Sequence, residues 1–141
     1  MRLDRSVHDS KVITFHDSCN VARGSKMGNQ PRDIYSIPRE LLKAACTNFV
    51  DMAPDTICEN TFCCGGGGGL LTDELIEVRV SGASPRVRAL EQVIEEHGVT
   101  HMAAICAICK SQFRAVLPHY GLGTDMIVSL HQILGDAVVL N

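Results

Sequence analysis

Apolar residues come along this chain in two rhythms. Short runs such as Val12-Ile-Thr-Phe15 have the β-branched and aromatic character of a buried strand, and Val99 to Ile105 and Met126-Ile-Val-Ser129 read the same way. Between these runs, apolar side chains recur every three or four positions. Leu41, Leu42, Ala45 and Phe49 share one face of a helix that Pro38 is suited to open, and Val87, Leu90 and Ile94 share a face of a second. Ser84 and Pro85 predict the start of that second helix and Gly98 its end. A third helix carries Cys109, Phe113, Val116 and Leu117 and stops at Gly121, and a short fourth helix follows the last strand. Phe49 to Met52 is one more candidate strand, ended by Pro54, and Gly24 to Gln30 reads as loop.

Strands alternating with helices predict an α/β fold, here a small parallel sheet of about four strands flanked by helices. In such sheets ligands gather in the crevice beyond the C-terminal strand ends. Cys19 falls just past the first strand and Cys106 at the end of another, so the cysteines are expected to gather there. A length of 141 residues suits one domain, residues 1–141, with a core of its own.

The cysteines carry the strongest chemical signal. Cys63 and Cys64 adjoin five glycines, in Phe62-Cys-Cys-Gly-Gly-Gly-Gly-Gly69, with Cys19 upstream and Cys106-Ala-Ile-Cys109 downstream. Adjacent cysteines are awkward ligands for one tetrahedral metal, whereas a multi-iron cluster can take a thiolate on each of two neighbouring metals. The segment from Ala53 to Gly69 is turn-rich and is expected to be irregular. Without Cβ atoms, Gly65, Gly66 and Gly67 let backbone approach a cluster and aim N–H groups at it. Cys-x-x-Cys alone also serves in zinc sites and redox disulfides, and a glycine run alone serves as a linker. Only their adjacency and order point to a cluster. Cys46 follows Leu42 by four positions on the first helix and is expected to be a small buried hydrophobe, and Cys58 is expected to be a non-ligand.

These motifs resemble the cysteine-rich CCG domain of the heterodisulfide reductase superfamily, whose pattern is a cysteine, then Cys-Cys-Gly, then Cys-x-x-Cys. Within it the chain is most similar to the C-terminal domain of DsrK/Hme-type iron–sulfur proteins, on the cues His16-Asp-Ser-Cys-Asn-Val-Ala-Arg23, Pro38-Arg39 and the long glycine run. The resemblance implies a noncubane [4Fe-4S] cluster held by Cys19, Cys63, Cys64, Cys106 and Cys109, at which a disulfide or trisulfide is reduced. It implies a DsrC-type sulfur carrier as substrate, and electron-donating iron–sulfur and membrane quinone or haem subunits as partners. The chain has no Cys-x-x-Cys-x-x-Cys motif for the cubane clusters that feed such a site. It is therefore expected to be the C-terminal part of a longer iron–sulfur protein, or a module that needs an electron-delivering partner.

Composition narrows the field. The chain is 45% hydrophobic and 21% charged with a net charge of −3, which suits a globular protein and gives no nucleic-acid footprint. No stretch approaches the roughly 20 apolar residues of a membrane span, and Met-Arg-Leu-Asp-Arg lacks a signal peptide's apolar region. A cytoplasmic place is expected, at the face of a membrane complex. Splitting a disulfide consumes two protons as well as two electrons, and His16, three residues before Cys19, is the candidate proton donor, with His101 and His119 behind it. Two other roles use the same residues. One is an electron-transfer or scaffold subunit, similar to CCG domains of glycolate and lactate oxidase complexes. The other is a zinc-stabilised interaction module, which leaves the adjacent cysteine pair unexplained.

Overall fold

The computed structural model describes residues 2–25 and 33–140; most of the predicted Gly24–Gln30 loop lies outside the described residues. In chain order the elements are β1 (Arg2–Leu3), β2 (Ile13–His16), α1 (Ser36–Ala45), α2 (Ile76–His97), β3 (His101–Ala104), α3 (Ala107–Val116), β4 (Ile127–Ser129), α4 (Leu130–Ala137) and β5 (Val138–Val139). Strands β2, β3 and β4 form a parallel sheet in that order, with Ile13 opposite His101 and Met102 opposite Ile127. β1 and β5 pair antiparallel as a separate two-stranded ribbon.

The sheet is buried on both faces, so in β2 even the polar Thr14 and His16 that alternate with Ile13 and Phe15 are inside. Ile13, Phe15 and Ala103 face α1 and α4, where Leu42, Ala45, Leu130 and Ile133 complete an apolar layer. Met102 and Ile127 face the other way, towards Val87, Leu90 and Val93 of α2 and Phe113 and Val116 of α3. Fully burying each such Leu or Phe is worth about 2–3 kcal/mol, so the two layers supply most of the drive to fold.

Three expectations need correction. The Phe49–Met52 strand shrinks to a single parallel bridge, Phe49 to Ile13, with Val50 N–H donating to Ile13 O at 2.9 Å. Asp51 turns its side chain to Arg39 instead of extending the ladder, and the parallel sheet has three strands. α1 ends at Ala45, so Phe49 lies outside it, and Leu41 is 36% exposed while Leu42 is fully buried. Its start is fixed by Asp33, whose Oδ1 accepts from the N–H groups of Tyr35 and Ser36 at 3.0 and 2.6 Å.

α2 begins at Ile76, eight residues before the predicted Ser84, and runs through Pro85. Proline cannot bond the Ser81 carbonyl, but Ser81 and Pro85 both lie on the exposed face, where water can take that bond. The buried face continues without a break as Arg79, Ala83, Arg86, Val87, Leu90 and Val93. Two arginines in that stripe hide it from an apolar count. Gly98 ends the helix in the left-handed conformation at φ 67°, as its position predicts.

Candidate metal centre

Two of the candidate cysteines follow the ends of adjacent strands. After β2 the chain enters a wide turn in which Gly24 N–H donates to Cys19 O, five residues back, at 2.7 Å. After β3, Cys106 precedes the first residue of α3 and Cys109 lies in that helix's first turn. The Cys63–Cys64 pair belongs to no strand; it sits in the irregular segment between Ala53 and Gly69, which contains only short 3₁₀ turns. All seven cysteines are free thiols.

The five candidate thiols are linked through a chain of mutual contacts. Cys19 meets Cys63 and Cys64: burial first, then their charges and a hydrogen bond with Cys63, push its pKa up. Cys64 is hydrogen-bonded to Cys109, and that bond outweighs burial; with help from the Gly66 N–H and Cys63, it brings the Cys64 pKa down to about 6. The same bond, with burial, pushes Cys109 up, since Cys109 holds the shared proton. Burial opposes ionisation of Cys106, yet the Cys109 N–H and the Ser18 hydroxyl overcome it and its pKa falls. Ser18 Oγ also lies 3.8 Å from Cys109 Sγ. Exposure is graded across the group: Cys63 is exposed, Cys19 and Cys106 half-buried, and Cys64 and Cys109 buried.

The glycine run wraps this group. Gly65 sits at φ 85° with its N–H donating to Cys63 Sγ at 3.3 Å, and a Cβ there would come within 2.6 Å of Arg79 O and 2.7 Å of Ala83 N. At Gly66 a Cβ would lie 3.3 Å from Cys64 Sγ, so backbone runs directly against that sulfur. Gly67 also has positive φ, packed loosely against Leu70.

Three fully or nearly buried polar groups hold the loop from below. Asp17 accepts from Arg39 Nη1 and Nη2 at 2.9 and 2.7 Å, and its Oδ2 also accepts from the Cys58 N–H at 2.9 Å. Arg86 donates to Thr56 O and to Thr61 Oγ1, and the Thr61 hydroxyl donates to Asp17 O at 2.8 Å. Arg79 donates to Thr72 O at 3.0 Å and to Gln112 Oε1 at 2.9 Å. The sequence motifs pick out neither arginine nor Gln112; their one signal is the seven-residue spacing of Arg79 and Arg86 on a face otherwise apolar.

The remaining candidates are scattered. His16 is wholly buried, edge-on to Phe113 at 4.9 Å, with both ring nitrogens unpartnered, and burial with the nearby Arg86 charge holds its pKa well below the usual histidine value. His101 opens β3, at the end of that strand opposite Cys106. His119 lines a separate cavity of about 280 Å³ with Ile76 and Val80. Cys46 is fully buried in the apolar layer under α1 and α4. Cys58 is half-buried at φ 55°, next to a cavity of about 300 Å³ shared with Tyr35 and Arg39.

Does this arrangement suit a metal group? Among the described residues no three Cys, His, Asp or Glu side chains converge on a single ion. Five soft thiols distributed around a glycine-lined turn instead suit a multi-iron group, whose irons and sulfides fill the space between ligands. The close approach of the Gly66 backbone to Cys64 Sγ leaves the thiol side free of bulk and fits the same group.

Fold and thiols together define a cysteine-rich α/β domain. More particularly, residues 13–114 match the model of the CCG family, described as "Cysteine-rich domain", and the chain belongs to that family. It is 39% identical over 138 residues to an Hdr-like menaquinol oxidoreductase iron-sulfur subunit of Archaeoglobus profundus, covering 98% of this chain and 23% of the relative. A second such protein, from Archaeoglobus fulgidus, is 36% identical over the same shares. One of the subunits of the fumarate reductase (CoM/CoB) of Methanothermobacter marburgensis is 26% identical, over 89% of this chain and 22% of the relative. The chain thus spans less than a quarter of the length of these relatives. No solved structure matches it significantly. Among the described residues no helix is long and apolar enough to cross a membrane.

Proposed function

We propose that this domain binds an iron–sulfur cluster of noncubane [4Fe-4S] type and forms the reductive site of a heterodisulfide-reductase-like oxidoreductase. The observation that carries this reading is the chain of contacts joining Cys19, Cys63, Cys64, Cys109 and Cys106 around the glycine turn. Those five are the proposed ligands. Relatives named as iron–sulfur subunits support the cluster, and the names of the two Archaeoglobus relatives support membership of a menaquinol-linked complex.

When bound, the cluster would supply one-electron transfer and an iron able to take a sulfur atom. The chain's own residues do the rest. The lowered pKa of Cys64 and Cys106 favours thiolates ready to bind metal. Gly65 to Gly67 keep the approach free of side chains, and exposed Cys63 marks the side from which a partner would reach the site. His16 is neutral at pH 7, so its proposed part in proton delivery is that of an imidazole N–H, with two unpartnered nitrogens to relay between. The proposed substrate is a disulfide or trisulfide on a small DsrC-type sulfur carrier. Electron-donating iron–sulfur and membrane quinone or haem subunits of a Dsr-like complex, at the cytoplasmic face, are the proposed partners.

A second reading, an electron-transfer subunit that handles no disulfide, is supported by the menaquinol oxidoreductase in the names of the Archaeoglobus relatives, which are also called Hdr-like. Iron and acid-labile sulfide per chain, with an electron paramagnetic resonance spectrum after reconstitution without oxygen, test the cluster. About four irons with a noncubane signal are expected. No iron, with stoichiometric zinc in its place, overturns the reading and leaves a structural module. Turnover of a carrier disulfide by the reconstituted chain then separates the two redox roles.

A further inference from the structure

Helix α2 touches the cysteine loop at three points along one face. Arg86, wholly buried, holds the stretch before the cysteine pair, through Thr56 O and, at 2.9 Å, Thr61 Oγ1. One turn back, Gly82 and Ala83 seat Gly65, just after the pair. A further turn back, Arg79, 4% exposed, holds the end of the glycine run through Thr72 O and is braced by Gln112 of α3.

The chemistry of these bonds is unusual. Every acceptor of Arg86 is neutral: a carbonyl, a hydroxyl and the Met52 thioether at 2.8 Å, with the guanidinium also over the Phe62 ring and its Nε unpartnered. The acceptors of Arg79 are likewise a carbonyl and an amide. Neither arginine makes an ion pair among the described residues, whereas Arg39 has both Asp17 and Asp51. Taking a guanidinium out of water without a direct ion-pair partner is costly. Burial and the Arg39 charge bring the Arg86 pKa down to about 10, against the pull of Asp17, so it remains charged at neutral pH.

A negative charge carried by the loop that both arginines hold would offset this cost. Cys63 and Cys64 lie in the segment that Arg86 and Arg79 bracket, and a cluster ligated by five thiolates carries net negative charge. We infer that Arg79 and Arg86 are the fixed counter-charges of the bound cluster: they clamp the loop on either side of Cys63–Cys64 and raise the cluster's reduction potential. The inference rests on the cluster reading above. A buried cation stabilises the reduced, more negative state more than the oxidised one, so removing it lowers the potential.

The test uses the reconstituted chain with Arg86→Met, Arg79→Met, Arg86→Lys and, as a control on the exposed face of the same helix, Arg88→Met. Midpoint potentials come from a redox titration followed by electron paramagnetic resonance. Each buried methionine variant is expected to shift the reduced-to-oxidised ratio about tenfold towards oxidised, a fall of about 59 mV for one electron. Arg86→Lys should keep most of the wild-type potential and Arg88→Met all of it. Wild-type potential in both buried methionine variants at full iron content overturns the inference. Loss of the cluster from those two variants, with Lys retaining it, counts for the inference. Hydrogen exchange on the metal-free chain reads the clamp separately: Arg86→Met should speed exchange over residues 56–64, and unchanged protection there overturns the clamp. A wild-type chain that takes up no iron sinks the cluster reading, and the exchange result still decides the clamp.

Discussion

Cys46 and Cys64 are about equally deep, at 0% and 3% exposure, yet they belong to different kinds of interior. Around Cys46, under α1 and α4, the neighbours are Ile13, Leu42, Ala45 and Ile133, and the hydrogen bonds run through its backbone, to Leu42 O and from Arg5. Burial there pushes the thiol pKa up, over the opposing pull of Arg5 and Lys11. Around Cys64, beneath the cysteine loop, the sulfur receives hydrogen bonds from Cys109 and Gly66, and its pKa falls to about 6. Depth alone therefore says little about a cysteine. What readies a thiol for metal is the set of donors aimed at it.

The contrast extends to what holds each side together. The α1–α4 side is apolar apart from Arg39, paired with Asp17, and His8, bonded to Ile133 O, whereas the α2–α3 side buries Arg79, Arg86, Gln112 and His16. The largest effect expected from breaking the polar side is chemical. Cys64→Ser should cut iron per chain severalfold while leaving the sheet intact by circular dichroism. Iron retained in full would remove Cys64 from the ligand set.

Next in size comes the ion pair. Asp17→Asn leaves the Arg39 guanidinium with only half-exposed Asp51 and weakens the tether on the Cys58 N–H. Breaking a buried pair by removing one charge costs about 3–5 kcal/mol, so the urea midpoint of unfolding should fall sharply. A fall below 1 kcal/mol would mean that this pair behaves as a surface one.

These two sides also differ in how legible they are from sequence. The apolar layer is written in plain periodicity: Val12–Phe15, Leu42 with Ala45, and the last strand and helix all fall where their spacing predicts. The cysteine motif is equally plain as a motif, and the chain's family follows from it. The first half of α2 is not legible, because its buried face is continued by Arg79 and Arg86, residues that an apolar count scores as solvent-facing. Pro85 misleads in the same place, since a proline with its unbonded carbonyl on the wet face is tolerated inside a helix as well as at its start. The Phe49 strand fails for a different reason: Asp51 is committed to Arg39, a contact twelve residues away that no local pattern reports.

Gly65→Ala sharpens the comparison from the backbone side. Gly65 has φ 85°, and its Cβ would strike two backbone atoms of α2, at 2.6 and 2.7 Å, which cannot swing aside like a side chain. A loss of about 3 kcal/mol is expected, from left-handed strain plus the clash. Gly68→Ala has a similar φ of 73° but meets nothing within 4 Å, and should lose only about 1 kcal/mol. Equal losses at the two positions would show that α2 does not seat the loop.

The last change returns to Cys46. Replacing its sulfur by a hydroxyl places an oxygen among Leu42, Ala45 and Ile133, where no side-chain partner is at hand in the apolar cluster. That should destabilise the chain by about 1–2 kcal/mol in a urea titration. Iron and acid-labile sulfide should match the wild type, because the α1–α4 layer and the thiol group lie on opposite faces of the sheet. The same atom-for-atom exchange at Cys64 should do the reverse, removing iron at little cost to the fold. Iron lost from Cys46→Ser in a chain that still folds would break the division between the two faces, and with it the assignment of ligands to one of them.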